Sequence, residues 1–311
     1  MNNVKNNMII RVSPLAEGGL PQVPPPQIAP QLLPDLPLEP AEPKGEPRVR
    51  TRWSGFAASV PGNGHIRREL PCQDASATIC EPRSAVIVCD GRGSASKGLS
   101  QEGSRAAVKA FRAQLNILEP CIAEYLDRPD LDAAEWRDVC RVLYRTLAQA
   151  KLDCAERLSL PEKEFDFTAV FAVVGSCWTG CFQVGDGSLA VRRNGTCEAV
   201  FKPAKGEYAN ETSFVRWGGE AGDGFLSAIV PSDEIDGLAA TSDGPEHRLY
   251  HLADMTPGPR FDAFFDGVKS GDFTRNDLLD YLASATRWST DPRDTDDRSV
   301  ALLARVPVEE G

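Results

Sequence analysis

The ten residues Ser84–Gly93, SAVIVCDGRG, predict a buried β-strand that ends abruptly in a carboxylate. The aliphatic residues do not alternate with polar ones, which is typical of a strand covered on both faces. Asp90 follows where the strand leaves the core, and Gly91 and Gly93 allow the backbone to turn tightly around whatever the carboxylate binds. Because Asp-Gly is also an ordinary turn signal, this element alone does not define a site.

Three further acids stand, like Asp90, at the end of a predicted strand. A second small-apolar strand, GLAATSDG, ends in Asp-Gly; the acidic cluster DTDD opens a third strand; and the motif PCQD lies just upstream of the first. The acids in these stretches are Asp243, Asp296 and Asp74. Any one of them could be an exposed turn residue, but four acids at strand ends favour a common site.

If these four carboxylates converge, they form a site of oxygen ligands. Such ligands suit Mg²⁺ or Mn²⁺ rather than Zn²⁺. Two carboxylates ~4 Å apart repel by roughly 4 kcal/mol at an effective dielectric of about 20, so the cluster requires cations or protons. Two cations would supply a metal-bound hydroxide and hold phosphate oxygens, which predicts hydrolysis of a phosphate ester.

Composition and charge indicate which partners and which cellular environment the protein can have. The 311 residues carry a formal charge of −11, which argues against a nucleic-acid partner because phosphate backbones require a concentrated basic face. Nine cysteines, an odd number with no Cys-x2-Cys pair, predict reduced thiols. No apolar run approaches the ~20 residues needed to span a bilayer, so we expect a soluble, cytoplasmic protein with no membrane contact.

The chain divides at about residue 50. Residues 1–49 hold eleven of the 24 prolines and predict an extended, disordered tail or linker, whereas residues 50–308 have a globular pattern.

Asp186–Gly187 and Asn194–Gly195 predict hairpin turns. The predicted strands are Thr51–Ser59, Ala75–Ile79, Ser84–Cys89, Phe167–Val174, Trp178–Val184, Ser188–Arg192, Cys197–Phe201, Phe214–Trp217, Leu238–Thr241 and Ser299–Ala304. The predicted helices are Ser100–Leu118, Ala133–Leu158, Arg260–Lys269 and Arg275–Ser289. Helices grouped between runs of antiparallel strands indicate an α+β fold.

Taken in chain order, several short motifs resemble the metal-dependent type 2C Ser/Thr protein phosphatases, and more closely a bacterial branch of that family. The resemblance covers the chain from about Trp53 to Leu303. Each motif is weakly specific alone, and their common order makes the resemblance strong. The motifs are Gly62–His65, Pro71–Asp74, Val88–Ser94, Phe167–Thr168, Val184–Gly187, Gly206–Thr212, Thr241–Gly244 and Asp296–Ser299.

The resemblance implies a four-layer α-β-β-α sandwich and a role for each acid. Asp90 would bridge two metal ions, with the Gly91 carbonyl as a further ligand, while Asp243 and Asp296 complete the shell of one ion. Asp74 would act through metal-bound water. Asp186 matches a position linked to a third, weaker metal, and is otherwise a plain hairpin residue; the segment 206–212 would form part of a flap.

Two departures from the family pattern concern the substrate phosphate. Arg92 stands where many members have a histidine that is a candidate general acid; arginine stays protonated, so it would instead bind phosphate or be a surface residue. Glu69 stands where many members carry a phosphate-binding arginine, with Arg67 and Arg68 alongside, and a shift along a strand could restore the contact. His65 is a substitute candidate for the acid, or else a structural residue.

The leading hypothesis is a Mg²⁺/Mn²⁺-dependent protein Ser/Thr phosphatase. Its substrate would be a phosphorylated protein, with a partner Ser/Thr kinase or the targets of that kinase implied by the bacterial resemblance. The alternative is a catalytically weak or inactive module of the same fold that binds a phosphoprotein or kinase. A phosphate loop at Gly91–Lys97 fails, because Ser96 stands where its glycine should precede Lys97.

Overall fold

The structure is a computed structural model that describes residues 50–93, 99–201, 213–216, 224–288 and 295–308. The proline-rich segment 1–49, the motif 206–212 and Asp294 lie outside the described residues.

Two five-stranded antiparallel sheets form the centre of the described part of the chain. Sheet 1 has the order β1-β12-β9-β6-β7, and sheet 2 has the order β2-β3-β4-β5-β8. The strands of sheet 1 are β1 Thr51–Val60, β6 Ser188–Arg193, β7 Thr196–Ala199, β9 Ile235–Thr241 and β12 Arg298–Pro307. Those of sheet 2 are β2 Ala75–Ile79, β3 Ala85–Cys89, β4 Ala169–Val174, β5 Trp178–Val184 and β8 Leu226–Pro231, and a small separate ribbon pairs β10 Tyr250–His251 with β11 Thr256–Pro257.

Helices cover the outer face of each sheet. The long pair α2 Ser100–Leu126 and α3 Ala133–Leu158 packs on sheet 2 through a core that includes Phe111, Trp136 and Phe171. Helices α5 Arg260–Ser270 and α6 Arg275–Ala283 pack on sheet 1 through Phe264, Phe265 and Leu282, with the short helix α7 Ala285–Trp288 beside them. The short helices α1 Asn63–Arg67 and α4 Glu246–Leu249 lie in connections.

Between the two sheets lies a third apolar layer of small aliphatic side chains. Val86, Val88 and Val170 of sheet 2 meet Leu238 and Leu303 of sheet 1. All five are at most 1% exposed, which explains why these strands read as unbroken apolar runs. The α+β prediction and the α-β-β-α layering are therefore confirmed.

Several predicted elements differ from the structure. Helix α2 runs eight residues beyond the predicted end at Leu118, through Pro120, because Ile122 and Leu126 are buried in the core and offset the lost backbone hydrogen bond. The predicted helix over Arg275–Ser289 breaks at Ser284 into α6 and α7. The predicted strand Phe214–Trp217 is wrong over its described residues 214–216, and β8 and α1 were not predicted.

The predicted hairpin at Asp186–Gly187 is also wrong. Strand β5 pairs with β4 and β8 in sheet 2, whereas β6 pairs with β7 and β9 in sheet 1. The turn after β5 therefore carries the chain from one sheet to the other, with Gly185 at a φ of +92° that favours glycine. Asn194–Gly195, in contrast, joins the paired strands β6 and β7 as predicted.

The nine cysteines are all free thiols, as the sequence predicts. Among the described residues, no helix is long and apolar enough to cross a membrane.

Candidate functional site

Strand register brings the predicted acids to one end of the sandwich. In sheet 2, Ala75 pairs with Cys89, so Asp74 before β2 and Asp90 after β3 leave the sheet at the same end. In sheet 1, Val300 pairs with Thr241, so Asp243 after β9 lies at the end where β12 begins, close to Asp296. Ser188 also pairs with Thr241, which places the Asp186 turn at this end as well.

Asp74 is the most deeply buried of these acids, at 3% exposure. Burial raises its pKa well above the ordinary value, and the charges of Asp297 and Asp296 add to the effect. The hydroxyls of Ser242 and Ser299 lie near enough to lower the pKa, but among the described residues neither carboxylate oxygen has a partner in hydrogen-bond geometry. A buried carboxylate without donors is costly, so this side chain requires a cation or a proton.

Asp90 and Asp243 face each other across the two sheets. The pKa of Asp90 is raised well above its ordinary value by burial and by the charges of Asp74, Asp243 and Asp296. The pKa of Asp243 is raised to about 6, first by burial and then by the charge of Asp296, while a hydrogen bond to Asp90 lowers it. The two carboxyl groups are therefore close enough to share a proton.

Asp296 and Asp186 are exposed residues on the open side of this cluster. The pKa of Asp296 is raised, first because nearby protein displaces water from the carboxylate and further by the charge of Asp297. Since the residue as a whole is exposed, water screens part of this effect. The charge of Asp186 raises the pKa of Asp243 and Asp296, which places it within electrostatic reach of both.

Glu246 is an acid of this end of the sandwich that sequence reasoning missed. It opens the short helix α4, and its carboxylate accepts a hydrogen bond from the Ser188 hydroxyl at 2.6 Å. Its pKa is raised to about 8, first by burial and then by the charges of Asp243 and Asp186, against the lowering effect of the Ser188 hydrogen bond. The sequence signal that could have identified Glu246 is its position three residues after Asp243, at the start of a helical turn.

The donor set fits hard divalent cations. It consists of carboxylate oxygens, the ligands that such cations prefer. Three of these oxygens are buried and have no hydrogen-bond partner among the described residues: both oxygens of Asp74 and Oδ1 of Asp243. Gly91 could add its carbonyl: it is buried, and a Cβ there would overlap the carbonyl oxygen of Gln73. Across the described residues, no three His, Cys, Asp or Glu side chains converge tightly enough to ligate one ion. The cluster thus has the right chemistry, with Asp90 and Asp243 in contact but no three of the described carboxylates gathered around one point.

Arg92 extends from the turn after β3 toward Asp166. Its Nη1 atom lies 3.3 Å from Oδ2 of Asp166, and its guanidinium lies over the ring of Phe214, 5.7 Å from the centroid. The side chain remains 40% exposed. Its guanidinium is therefore anchored on two sides and open to solvent, as a phosphate-binding group would be.

His65 and Asp297 form a buried pair behind the cluster. The Nδ1 atom of His65 lies 2.7 Å from Oδ1 of Asp297, and the two side chains are 3% and 2% exposed. The same carboxylate accepts hydrogen bonds from the backbone N–H groups of Gly62 and Gln73. This burial favours a structural role for His65, and sequence reasoning missed Asp297 as its partner.

Arg67 and Arg68 lie at the end of helix α1 and are both exposed. Arg68 donates from Nε to the carbonyl of Gly64 at 3.0 Å. We expected these residues to lie in a strand, where a shift along the strand could turn one arginine toward the site. That premise is wrong, because residues 63–67 are helical and Glu69 has a φ of +55°. Within the part of the chain that the structure describes, neither arginine contacts the acidic cluster.

A comparison of the sequence with protein families gives one match over most of the globular part. The family model described as Protein phosphatase 2C matches residues 61–283. A curated relative, Serine/threonine-protein phosphatase 3 of Escherichia coli (strain K12), is 28% identical over 259 residues, which cover 80% of this chain and 97% of that protein.

Solved structures with the same fold include several bacterial phosphatases. Serine/threonine phosphatase Stp1 from Staphylococcus aureus has a TM-score of 0.53 and 15% identity, and covers 86% of this chain and 100% of its own. The S. agalactiae serine/threonine phosphatase has a TM-score of 0.53 and 14% identity, over 81% of this chain and 99% of its own. The catalytic domain of the phosphatase PstP, solved with two manganese ions, has a TM-score of 0.50 and 11% identity, over 83% and 100%.

Proposed function

The chain belongs to the protein phosphatase 2C family, and on that premise we propose that it hydrolyses phosphoserine and phosphothreonine in protein substrates with Mg²⁺ or Mn²⁺ as cofactor. One observation carries the proposal: the fold brings four acids from distant parts of the chain to one end of the sandwich, where carboxylate oxygens are buried without donors. A folded protein tolerates such a cluster when cations bind it.

The residues divide between metal binding and phosphate binding. Asp90, Asp243 and Asp296, with the Gly91 carbonyl, would hold two ions; Asp74 would contribute from the buried side, and Asp186 would serve a third. When bound, such ions lower the pKa of a coordinated water and neutralise phosphate oxygens. Arg92 would bind the phosphate through its guanidinium, which is 40% exposed, and so orient it toward the cluster.

Substitution of two acids tests this function. Asp90→Asn and Asp243→Asn each remove a charged ligand from opposite sheets, and we expect each to reduce phosphate release by at least about 100-fold. The measurement is phosphate release from a phosphoserine and phosphothreonine peptide pool during a Mn²⁺ titration, with circular dichroism to check the fold. Asp130→Asn is the matched control, because the Asp130 side chain is 83% exposed and the residue is distant in sequence from the acids of the cluster. Full activity in both site variants would overturn the proposal.

The alternative is a phosphoprotein-binding module of the same fold. The observations that favour it are Arg92 at the position of the usual histidine and the exposed, unengaged positions of Arg67 and Arg68. It predicts no phosphate release at saturating Mn²⁺ together with retained binding of a phosphopeptide that Arg92→Ala weakens. For the phosphatase function, we propose that the physiological substrate is a phosphorylated partner Ser/Thr kinase or a target of that kinase.

A further inference from the structure

Lys151 is a buried cation of helix α3 that the metal cluster does not use. It is 1% exposed, and its ammonium group contacts Oδ1 of Asp166 and Oε1 of Glu162, each at 2.9 Å. It also donates to the carbonyl oxygen of Val215. An ammonium group has three N–H donors, so these three acceptors can satisfy all of them.

Asp166 links this lysine directly to Arg92. The carboxylate is buried, with one oxygen on Lys151 and the other on Nη1 of Arg92. The backbone carbonyl of Asp166 also accepts a hydrogen bond from the Arg92 N–H at 2.9 Å. Two residues later, Thr168 donates to the carbonyl of Asp90 at 2.8 Å, so this segment fixes both Arg92 and the acid beside it.

Val215 links the lysine to the opposite side of Arg92. Its neighbour Phe214 lies against the guanidinium as a cation–π partner. Residues 213–216 form no strand; they are held by the hydrogen bond from the Val215 N–H to Phe167 and by the contact of the Val215 carbonyl with Lys151. One buried ammonium thus contacts both the carboxylate that flanks the guanidinium and the backbone next to the aromatic ring on its other side.

The fold alone does not explain a lysine at this position. An apolar residue of similar volume would avoid the desolvation cost of a buried ammonium, and such replacements of whole ion pairs are often neutral or stabilising. We propose that Lys151 is a positioning residue for the phosphatase reaction, which holds the guanidinium of Arg92 in place through Asp166 on one side and Phe214 on the other. This inference rests on the proposed function and adds to it the residue that orders the phosphate-binding arginine.

A double-mutant cycle tests the inference. We expect Lys151→Met to reduce kcat/KM for a phosphopeptide about tenfold, mainly through KM, because a charge-assisted hydrogen bond to phosphate loses its fixed geometry. Arg92→Ala should produce a similar rise in KM. In the Arg92→Ala background, Lys151→Met should have little further effect, since the lysine acts through the arginine.

A second variant covers the case in which Lys151→Met does not fold. The pair Lys151→Met with Asp166→Leu removes both buried charges, and it should fold stably while showing the same rise in KM. A readout independent of turnover is the ¹⁵N NMR spectrum of the arginine side chains. We expect the Arg92 guanidinium to show restricted rotation in the wild-type protein and averaged signals in this variant.

Arg192→Met is the matched control. Arg192 of β6 is another buried cation, 5% exposed, whose guanidinium pairs with Asp236 of β9 and Asp266 of α5. Its substitution should lower stability and leave KM unchanged. If Lys151→Met changes KM equally with and without Arg92, the inference is overturned while the proposed function stands. If Arg92→Ala leaves KM unchanged, the inference and the phosphate-binding role of Arg92 are overturned while the metal-dependent phosphatase activity stands. An inactive wild-type protein at saturating Mn²⁺ overturns both.

Discussion

At the scale of single residues, Asp297 is a buried acid that stabilises the backbone around the site. Its carboxylate accepts from the Gly62 and Gln73 N–H groups and contacts the His65 imidazole, so three contacts join the connection between β1 and β2 to the residue before β12. Asp297→Asn replaces one accepting oxygen by an NH₂ group that faces these donors. We expect the free energy of unfolding to fall by about 3 kcal/mol and activity to fall with it, because Asp74 directly follows Gln73.

Urea unfolding of Asp297→Asn measures this loss, with the exposed Asp130→Asn as the reference. Unchanged stability would show that these three contacts do not depend on the Asp297 charge.

The sequence predicts the acids of the site better than their roles. Asp296 and Asp297 are adjacent, and neighbouring residues in an extended chain point to opposite sides, so the pattern shows two acids but not which one faces inward. The proposed role of Arg92 in binding phosphate comes from its chemistry and from its position in the family pattern. The contacts of Arg92 with Asp166 and Phe214 could not be predicted, since they join segments 74 and 122 positions away in the chain.

At the scale of elements, the start of β12 lies between two glycines. A Cβ on Gly62 would overlap the carbonyl oxygen of Asp296, and a Cβ on Gly244 would overlap that of Asp297. Gly244→Ala must therefore displace the end of β9 from the start of β12, the two segments that carry Asp243 and Asp296. We expect a loss of about 1–3 kcal/mol in stability, typical of overpacking, and weaker metal activation.

The measurement for Gly244→Ala is thermal unfolding together with the Mn²⁺ concentration for half-maximal activity. Gly224→Ala is the control, because a Cβ there meets no atom within 4 Å. Equal behaviour of the two variants would contradict the close-contact explanation.

Elements with a strong periodic pattern were predictable, and elements defined by tertiary contacts were not. Strands β2 and β5 and helix α3 begin and end where the pattern predicts, since their apolar residues cover a continuous core. Helix α1 has only five residues and is fixed by contacts with the chain before β12, such as the hydrogen bond from Gly64 N–H to the Thr295 carbonyl. Strand β8 is an edge strand and mostly half-buried, so its pattern is weak.

At the scale of the whole molecule, the sandwich concentrates negative charge in a protein that already carries a formal charge of −11. Each sheet contributes acids from its own strand ends, so the folded state creates a repulsion that the unfolded chain lacks. The raised pKa values of Asp74, Asp90 and Asp243 are the result. In the absence of cations, this site therefore lowers stability at neutral pH.

The sign of the pH dependence follows from Asp243, whose pKa rises from 3.8 to about 6 on folding. Between these values the folded state binds more protons than the unfolded state, so the contribution of this group to stability falls as the pH rises. A shift of this size corresponds to a penalty of about 3 kcal/mol above the folded pKa. We expect Mn²⁺ to offset that penalty, since an ion at 100 times its Kd stabilises the folded state by about 2.7 kcal/mol.

The measurement is the difference in unfolding free energy between wild type and Asp243→Asn, taken without metal at pH 5 and pH 7.5 and again with Mn²⁺. Subtracting the variant cancels the titration of groups elsewhere in the chain. Without metal, Asp243→Asn should be more stable than wild type at pH 7.5, with a smaller advantage at pH 5, where Asp243 is largely protonated. With Mn²⁺ at pH 7.5 the order should reverse, because the wild-type carboxylate binds the ion and the amide does so weakly. A variant that is less stable than wild type in metal-free buffer at pH 7.5 would contradict this explanation, since Asp243 would then stabilise the fold without a cation.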